Sequence, residues 1–176
     1  MTVTERRSVE LEVRATKGRR LEGYCAVFDT KADIGPFVEV IKPGAFAASL
    51  QADVPAFVDH DQSRMLARTK SKTLRLSEDA HGLHFDLDVP DTTTGRDILA
   101  LCERNDIGGA SIGFSVMPDS ETWRGNLREL RAVRLHEISI VQSFPAYQGT
   151  IVSARARAMA EPLRQRLARV YLETLR

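Results

Sequence analysis

The sequence predicts an α+β domain, a mostly antiparallel β-barrel of about seven short strands with helices packed outside. Three observations predict it. Short apolar runs rich in Val, Ile, Leu and Phe recur along the chain with turn signals between them. One of them, Leu83-His84-Phe85-Asp86-Leu87-Asp88-Val89, alternates apolar and polar at period two, so one face is buried. Helical spacing is confined to a few segments, and no strand–helix–strand unit repeats.

The elements follow in order. Residues 1–17 are polar with weak alternation at Val9, Leu11 and Val13, and read as a lead-in strand. Leu21 to Phe28 is β-prone and stops at the turn pair Asp29-Thr30. Phe37 to Ile41 is a short apolar strand. Pro43-Gly44 then opens a small helix, Ala45 to Leu50, because proline is tolerated in a first helical turn. Val54 to Val58 is the next strand, and it carries His60 at its end. Thr73 to Leu76 pairs with Leu83 to Val89 as a hairpin through residues 78–82. Thr94 to Arg104 is a helix, with Ile98, Leu101 and Cys102 at helical spacing and Asn105 to close it.

Ile107 to Val116 is a strand of two unlike faces. Ala110, Ile112, Phe114 and Val116 point one way; Ser111, Gly113 and Ser115 point the other. The second face carries only small groups, so another backbone can lie close to it. Arg124-Gly125-Asn126 is a turn, and Leu130 to Val141 a long strand. From Ala154 the composition changes. Met159, Leu163, Leu167, Val170 or Tyr171, and Leu175 form an apolar stripe at helical spacing, with arginines between. The expected organisation is a lead-in (1–19), a main domain (20–152) and a C-terminal amphipathic helix (153–176).

Composition narrows the function. The net charge of +1 gives no basic excess for nucleic acid and no acidic tail. Cys25 and Cys102 form neither a disulfide framework nor a metal spacing. His60, His81, His84 and His136 show no paired ligand spacing, so no metal or cofactor is expected. No run reaches the length of a membrane span, and residues 1–20 lack the apolar core of a signal peptide; a soluble cytoplasmic chain is expected.

Three residues then stand out in order: His60, Ser111 and Glu137. Imidazole, hydroxyl and carboxylate are the groups of a serine hydrolase. Each also has a plainer reading. His60 fits a structural histidine, and Ser111 a small residue at a crowded strand. Glu137 shares parity with Val133 and Leu135, so it is expected on an apolar face, where a carboxylate needs a partner. An arginine would be a structural partner and a histidine a functional one. His136, expected on the opposite face with Arg134, is the reserve third member. The G-x-S-x-G elbow of the α/β-hydrolases is absent.

The words around these residues resemble the prohead protease family of tailed double-stranded DNA bacteriophages. They are Gly23-Tyr24-Cys25-Ala26-Val27-Phe28, Glu39-Val40-Ile41-Lys42-Pro43-Gly44-Ala45-Phe46, His60-Asp61, Leu74 to Asp79 with Gly82-Leu83, Ser111-Ile112-Gly113-Phe114, and Leu135 to Val141 followed by Pro145-Ala146-Tyr147. The resemblance implies a fold like the herpesvirus assemblin proteases, with the protease domain in residues 20–152 and catalytic His60, Ser111 and Glu137. It implies a serine endopeptidase without cofactor, acting in the host cytoplasm inside the assembling prohead. Its substrates would be the capsid precursor or scaffold, and the protease itself; a homo-oligomer is compatible with it, and neither nucleic acid nor membrane is an expected partner. The oxyanion donors are expected among backbone N–H groups of residues 143–146. The alternative is a non-catalytic capsid-assembly or scaffold component that retains the protease fold.

Overall fold

The computed structural model describes residues 4–9, 14–16 and 18–142. The predicted C-terminal helix and residues 143–146 lie outside them. The described residues are mostly strand with one α-helix, so the α+β expectation fits. The strands are shorter and more numerous than predicted, and they pair into three sheets. Among the described residues these sheets do not close into the expected barrel.

The central sheet has five strands. In spatial order they are β1 (Glu5–Val9), β10 (Gly109–Val116), β13 (Val133–Val141), β6 (Pro55–Val58) and β7 (Asp61–Arg68). All neighbours are antiparallel except β13 and β6, which run parallel. The lead-in is thus part of this sheet: β1 lies along β10, with Ser8 opposite Ser111.

A second sheet orders β2 (Arg14–Thr16), β3 (Arg20–Val27), β9 (Gly82–Asp88) and β8 (Leu74–Glu78). It contains the predicted hairpin, with Leu76 opposite Phe85. The third orders β11 (Glu121–Arg124), β12 (Leu127–Leu130), β5 (Val38–Ile41) and β4 (Ala32–Asp33). The expected long strand over 130–141 is therefore split at Arg131-Ala132 between β12 and β13. The expected helix after Pro43-Gly44 is only a 3₁₀ turn, Ala47–Ser49.

One hydrophobic core joins the first two sheets. Ala110, Ile112 and Phe114 of β10 and Ile138 and Ile140 of β13 belong to the same buried cluster as Leu21, Leu83, Phe85 and Leu87. The helix α1 (Thr93–Glu103) adds Ile98 and Cys102 to it. Its first turn is capped by Thr92, whose Oγ1 accepts Gly95 N–H at 3.1 Å. Such a cap is worth about 1 kcal/mol. Asn105 follows the helix at φ 59°, the left-handed residue that ends it.

An ionic cluster fastens β1 to the third sheet. Arg7 Nε donates to Glu39 Oε1 at 2.6 Å, and Arg128 Nη1 donates to Glu5 Oε2 at 2.8 Å and Glu39 Oε2 at 3.0 Å. Glu39 and Arg128 are buried, which is tolerable because each charge is paired and hydrogen-bonded. Burial alone would raise the Glu5 carboxyl, but hydrogen bonding and attraction from Arg128 and Arg7 hold it below the usual glutamate value.

Candidate active site

The site begins with the two faces of β10. Its apolar residues enter the core, and Ser111, Gly113 and Ser115 take the other face, as the alternation predicts. Across three strands, two rows then form on that face. Ser8, Ser111 and Ser139 stand in register in one row; Arg6, Gly113 and Glu137 form the next. Residues directly opposite on neighbouring strands share a face.

Glu137 reaches this face through a local irregularity. Val133 lies opposite Val116 and Leu135 opposite Phe114, both on the apolar face of β10. A register shift between Gly113 and Phe114 then places Glu137, not His136, opposite Gly113. The extra residue is His136. A β-bulge re-aims side chains in this way. Glu137 therefore leaves the face of Val133 and Leu135, where strict alternation had placed it, and joins the serines. Gly113 is required underneath. A Cβ there would lie 2.7 Å from both Cγ and Oε1 of Glu137, so only glycine leaves room for the carboxylate to fold over the strand.

His60 comes from the tight turn between β6 and β7. Val58 pairs with Asp61, leaving Asp59-His60 as a two-residue loop. Both loop residues have positive φ, 50° and 62°, the pattern of a type I′ turn. Glycine or asparagine is the usual occupant of such positions, and a histidine there is held against its backbone preference. The holding bonds are specific. Asp59 N–H donates to Ile140 O at 3.0 Å, and the Asp59 carboxylate accepts Gln142 N–H at 2.9 Å and Arg64 Nη1 at 3.2 Å. His60 N–H donates to Ser139 Oγ at 3.2 Å.

These elements bring His60 and Glu137 together. His60 Nδ1 lies 2.6 Å from Glu137 Oε1. Their side chains are only 15% and 10% exposed, so the pair is shielded from water. An ionised carboxylate only accepts, so Nδ1 is the donor of this bond and Nε2 is the ring nitrogen turned away from Glu137. Arg6 Nε stands farther off, 3.6 Å from the same oxygen, and half-exposed. Histidine is thus the closer of the two partners weighed for Glu137.

Ser111 is fully buried on the same face but makes no hydrogen bond to His60. Its Oγ donates to Arg7 O at 2.9 Å and accepts from Ser8 Oγ at 3.1 Å. Both partners belong to β1. His136 lies on the face of Arg134, as expected, and Arg134 stands opposite Ser115. His136 Nε2 lies 2.9 Å from Ser115 Oγ, and Ser115 shares the face of Ser111. A cleft of about 340 Å³ opens beside it, lined also by Ala48, Ala52, Met117 and Arg134.

Alternation puts Ser115 on the face of Ser111 without giving it a role, and nothing in the sequence singles out Ser8, Arg6 or Ser139. The signal is parity alone: Ser115 is two positions from Gly113, and Ser139 two from Glu137. The buried Cys25 is no rival nucleophile, because burial pushes its thiol far above the ordinary cysteine value.

No curated protein and no solved structure gives a significant match to this chain. A family model does match, over residues 5–165, and its description is caudovirus prohead serine protease. That span takes in β1 as well as His60, Ser111 and Glu137, and covers nearly the whole sequence. The chain belongs to the caudovirus prohead serine protease family, and is a serine peptidase of phage capsid maturation.

Proposed function

We propose that Ser111 is the nucleophile, His60 the general base and Glu137 the residue that orients the base, in a chain that adopts an assemblin-like fold. The observation that carries this reading is the 2.6 Å bond from His60 Nδ1 to Glu137 Oε1 on the face that also holds Ser111. It fixes the tautomer that a serine protease needs.

Ser111 Oγ attacks the scissile carbonyl carbon while its proton passes to His60 Nε2. The imidazolium, stabilised by Glu137, then protonates the leaving amine as the C–N bond breaks. Water attacks the resulting ester with His60 again as base, and Ser111 recovers its proton. Before the first step the Ser111 hydroxyl must turn from the Arg7 carbonyl toward His60. The described arrangement is therefore a resting one in this reading. The substrates are the capsid precursor or its scaffolding segment, and the protease cuts itself as well, within the assembling prohead.

A second assignment has one observation in its favour. Ser115 and His136 share a direct hydrogen bond, which Ser111 and His60 lack. No carboxylate bonds the other nitrogen of His136 among the described residues, so this pair has no group to set its tautomer.

The test is co-expression with the capsid precursor, with intact mass as readout. Trimming by the wild type that vanishes in Ser111→Ala supports the assignment. Trimming that survives in Ser111→Ala but vanishes in Ser115→Ala moves the nucleophile to the second pair. Untrimmed precursor with the wild type in assembled proheads would favour an assembly role instead.

A further inference from the structure

Beyond the three residues of the proposed triad, we infer that Ser139 is a positioning residue that locks the His60–Glu137 pair. The inference rests on the triad reading and adds a fourth side chain to it.

Ser139 is fully buried, and both capacities of its hydroxyl are used. The Oγ–H donates to Glu137 Oε2 at 3.2 Å, and the same oxygen accepts His60 N–H at 3.2 Å. One hydroxyl therefore joins the carboxylate of one triad member to the backbone of another. The division of labour on Glu137 follows. Oε2 is taken by Ser139, so Oε1 alone faces His60 Nδ1. Two acceptor atoms with two separate donors leave the carboxylate little freedom to rotate.

The backbone end matters equally. His60 sits at φ 62°, a conformation that a histidine does not choose unaided. Its N–H points back across β6 to β13, and Ser139 is its acceptor there. Without that acceptor the N–H would be left unpaired in a partly buried turn, and the ring would lose its fixed origin. The same strand supplies the second clamp: Asp59 N–H is held by Ile140 O. Ser139 also lies opposite Ser111 in register, so a displaced β13 would move the nucleophile's neighbour along with the base. A shift of about 1 Å in such a constellation costs on the order of 10²-fold in rate.

The experiment uses the full chain and two readouts. The first is the proton resonance of the His60 Nδ1–H, which its short bond to Glu137 should carry far downfield and protect from exchange. The second is the rate of capsid-precursor trimming in co-assembled proheads. Ser139→Ala should lose or broaden the resonance and slow trimming at least tenfold with the fold retained. Ser139→Cys, of similar volume but weak in hydrogen bonding, should behave alike and covers the case in which alanine does not fold. Ser139→Thr keeps the hydroxyl and should restore both readouts. A wild-type resonance and rate in Ser139→Ala would overturn the positioning role. So would slowed trimming with the resonance intact, or no downfield resonance in the wild type. The triad reading fails separately: Ser111→Ala that still trims would refute it whatever Ser139 does.

Discussion

Two histidines serve the same face of the central sheet, and their settings differ in every respect that matters to catalysis. His60 is held in a left-handed turn with its N–H on Ser139, is mostly shielded, and has a carboxylate on Nδ1. His136 sits on a β-bulge, exposed beside an open cleft, and among the described residues its ring hydrogen-bonds Ser115 alone. The bulge is costly to explain as support for His136 itself. It is readily explained by Glu137, which it turns onto the serine face. The comparison teaches that sequence neighbours can have unequal claims: His136 supplies the extra residue, and Glu137 uses the result.

The contrast can be broken by substitution. The largest effect is expected at the carboxylate. Glu137→Gln should preserve the shape of the pair but reverse its preferred tautomer, and lower the trimming rate by about 10⁴-fold. A rate within tenfold of wild type would remove Glu137 from the mechanism. Gly113→Ala should come next. The new Cβ would meet Glu137 at 2.7 Å, and the resulting shift should cost about 10²-fold in rate while thermal unfolding changes little. His136→Ala should change trimming by less than about threefold, because an exposed ring with one hydroxyl partner has little to lose. Inactivity with an intact fold would instead favour the Ser115–His136 pair.

The smallest effect is a control remote from both histidines. Hydrogen bonding from Arg75, helped by Arg20, outweighs burial and holds the Asp86 carboxyl down at about 2 against an ordinary 3.8. Its folded value is depressed, so its contribution is complete above pH 3.8 and is lost as pH falls toward about 2. The pair is partly exposed, so Arg75→Met should cost about 1 kcal/mol or less at pH 6 by denaturant unfolding. That cost should shrink through this acid window. A cost that is constant with pH would mean that Arg75 acts through packing alone.

Much of this arrangement was legible in the sequence. The alternation of β10 gave its two faces correctly, because a regular strand obeys period two. The hairpin of β8 and β9 and the helix closed by Asn105 were legible for the same reason: their signals are local. Glu137 stands out in the sequence as a carboxylate in need of a partner, and alternation puts it on the wrong face. Counting alternation through His136 put the carboxylate beside Val133 and Leu135, and nothing local announces a bulge. The turn at Asp59-His60 was also hidden, because neither residue is the glycine that usually marks it. Apart from Arg64, the groups that hold it, Ser139, Ile140 and Gln142, lie some eighty residues away in the chain. The place of β1 was hidden in the same manner. Its weak apolar pattern reads as a lead-in, while its anchorage is ionic, through Glu5 and Arg7 to Glu39 and Arg128. Such partners are visible only once the chain is folded.

The most direct test of the central assignment is to identify the reactive serine itself. Proheads assembled from the wild-type protease and the capsid precursor would be treated with a fluorophosphonate, which modifies activated serine hydroxyls. The adduct would then be located by peptide mass. A single adduct is expected on Ser111, lost in both His60→Ala and Glu137→Gln and retained in His136→Ala. An adduct on Ser115, or an adduct on Ser111 that survives loss of His60, would contradict it.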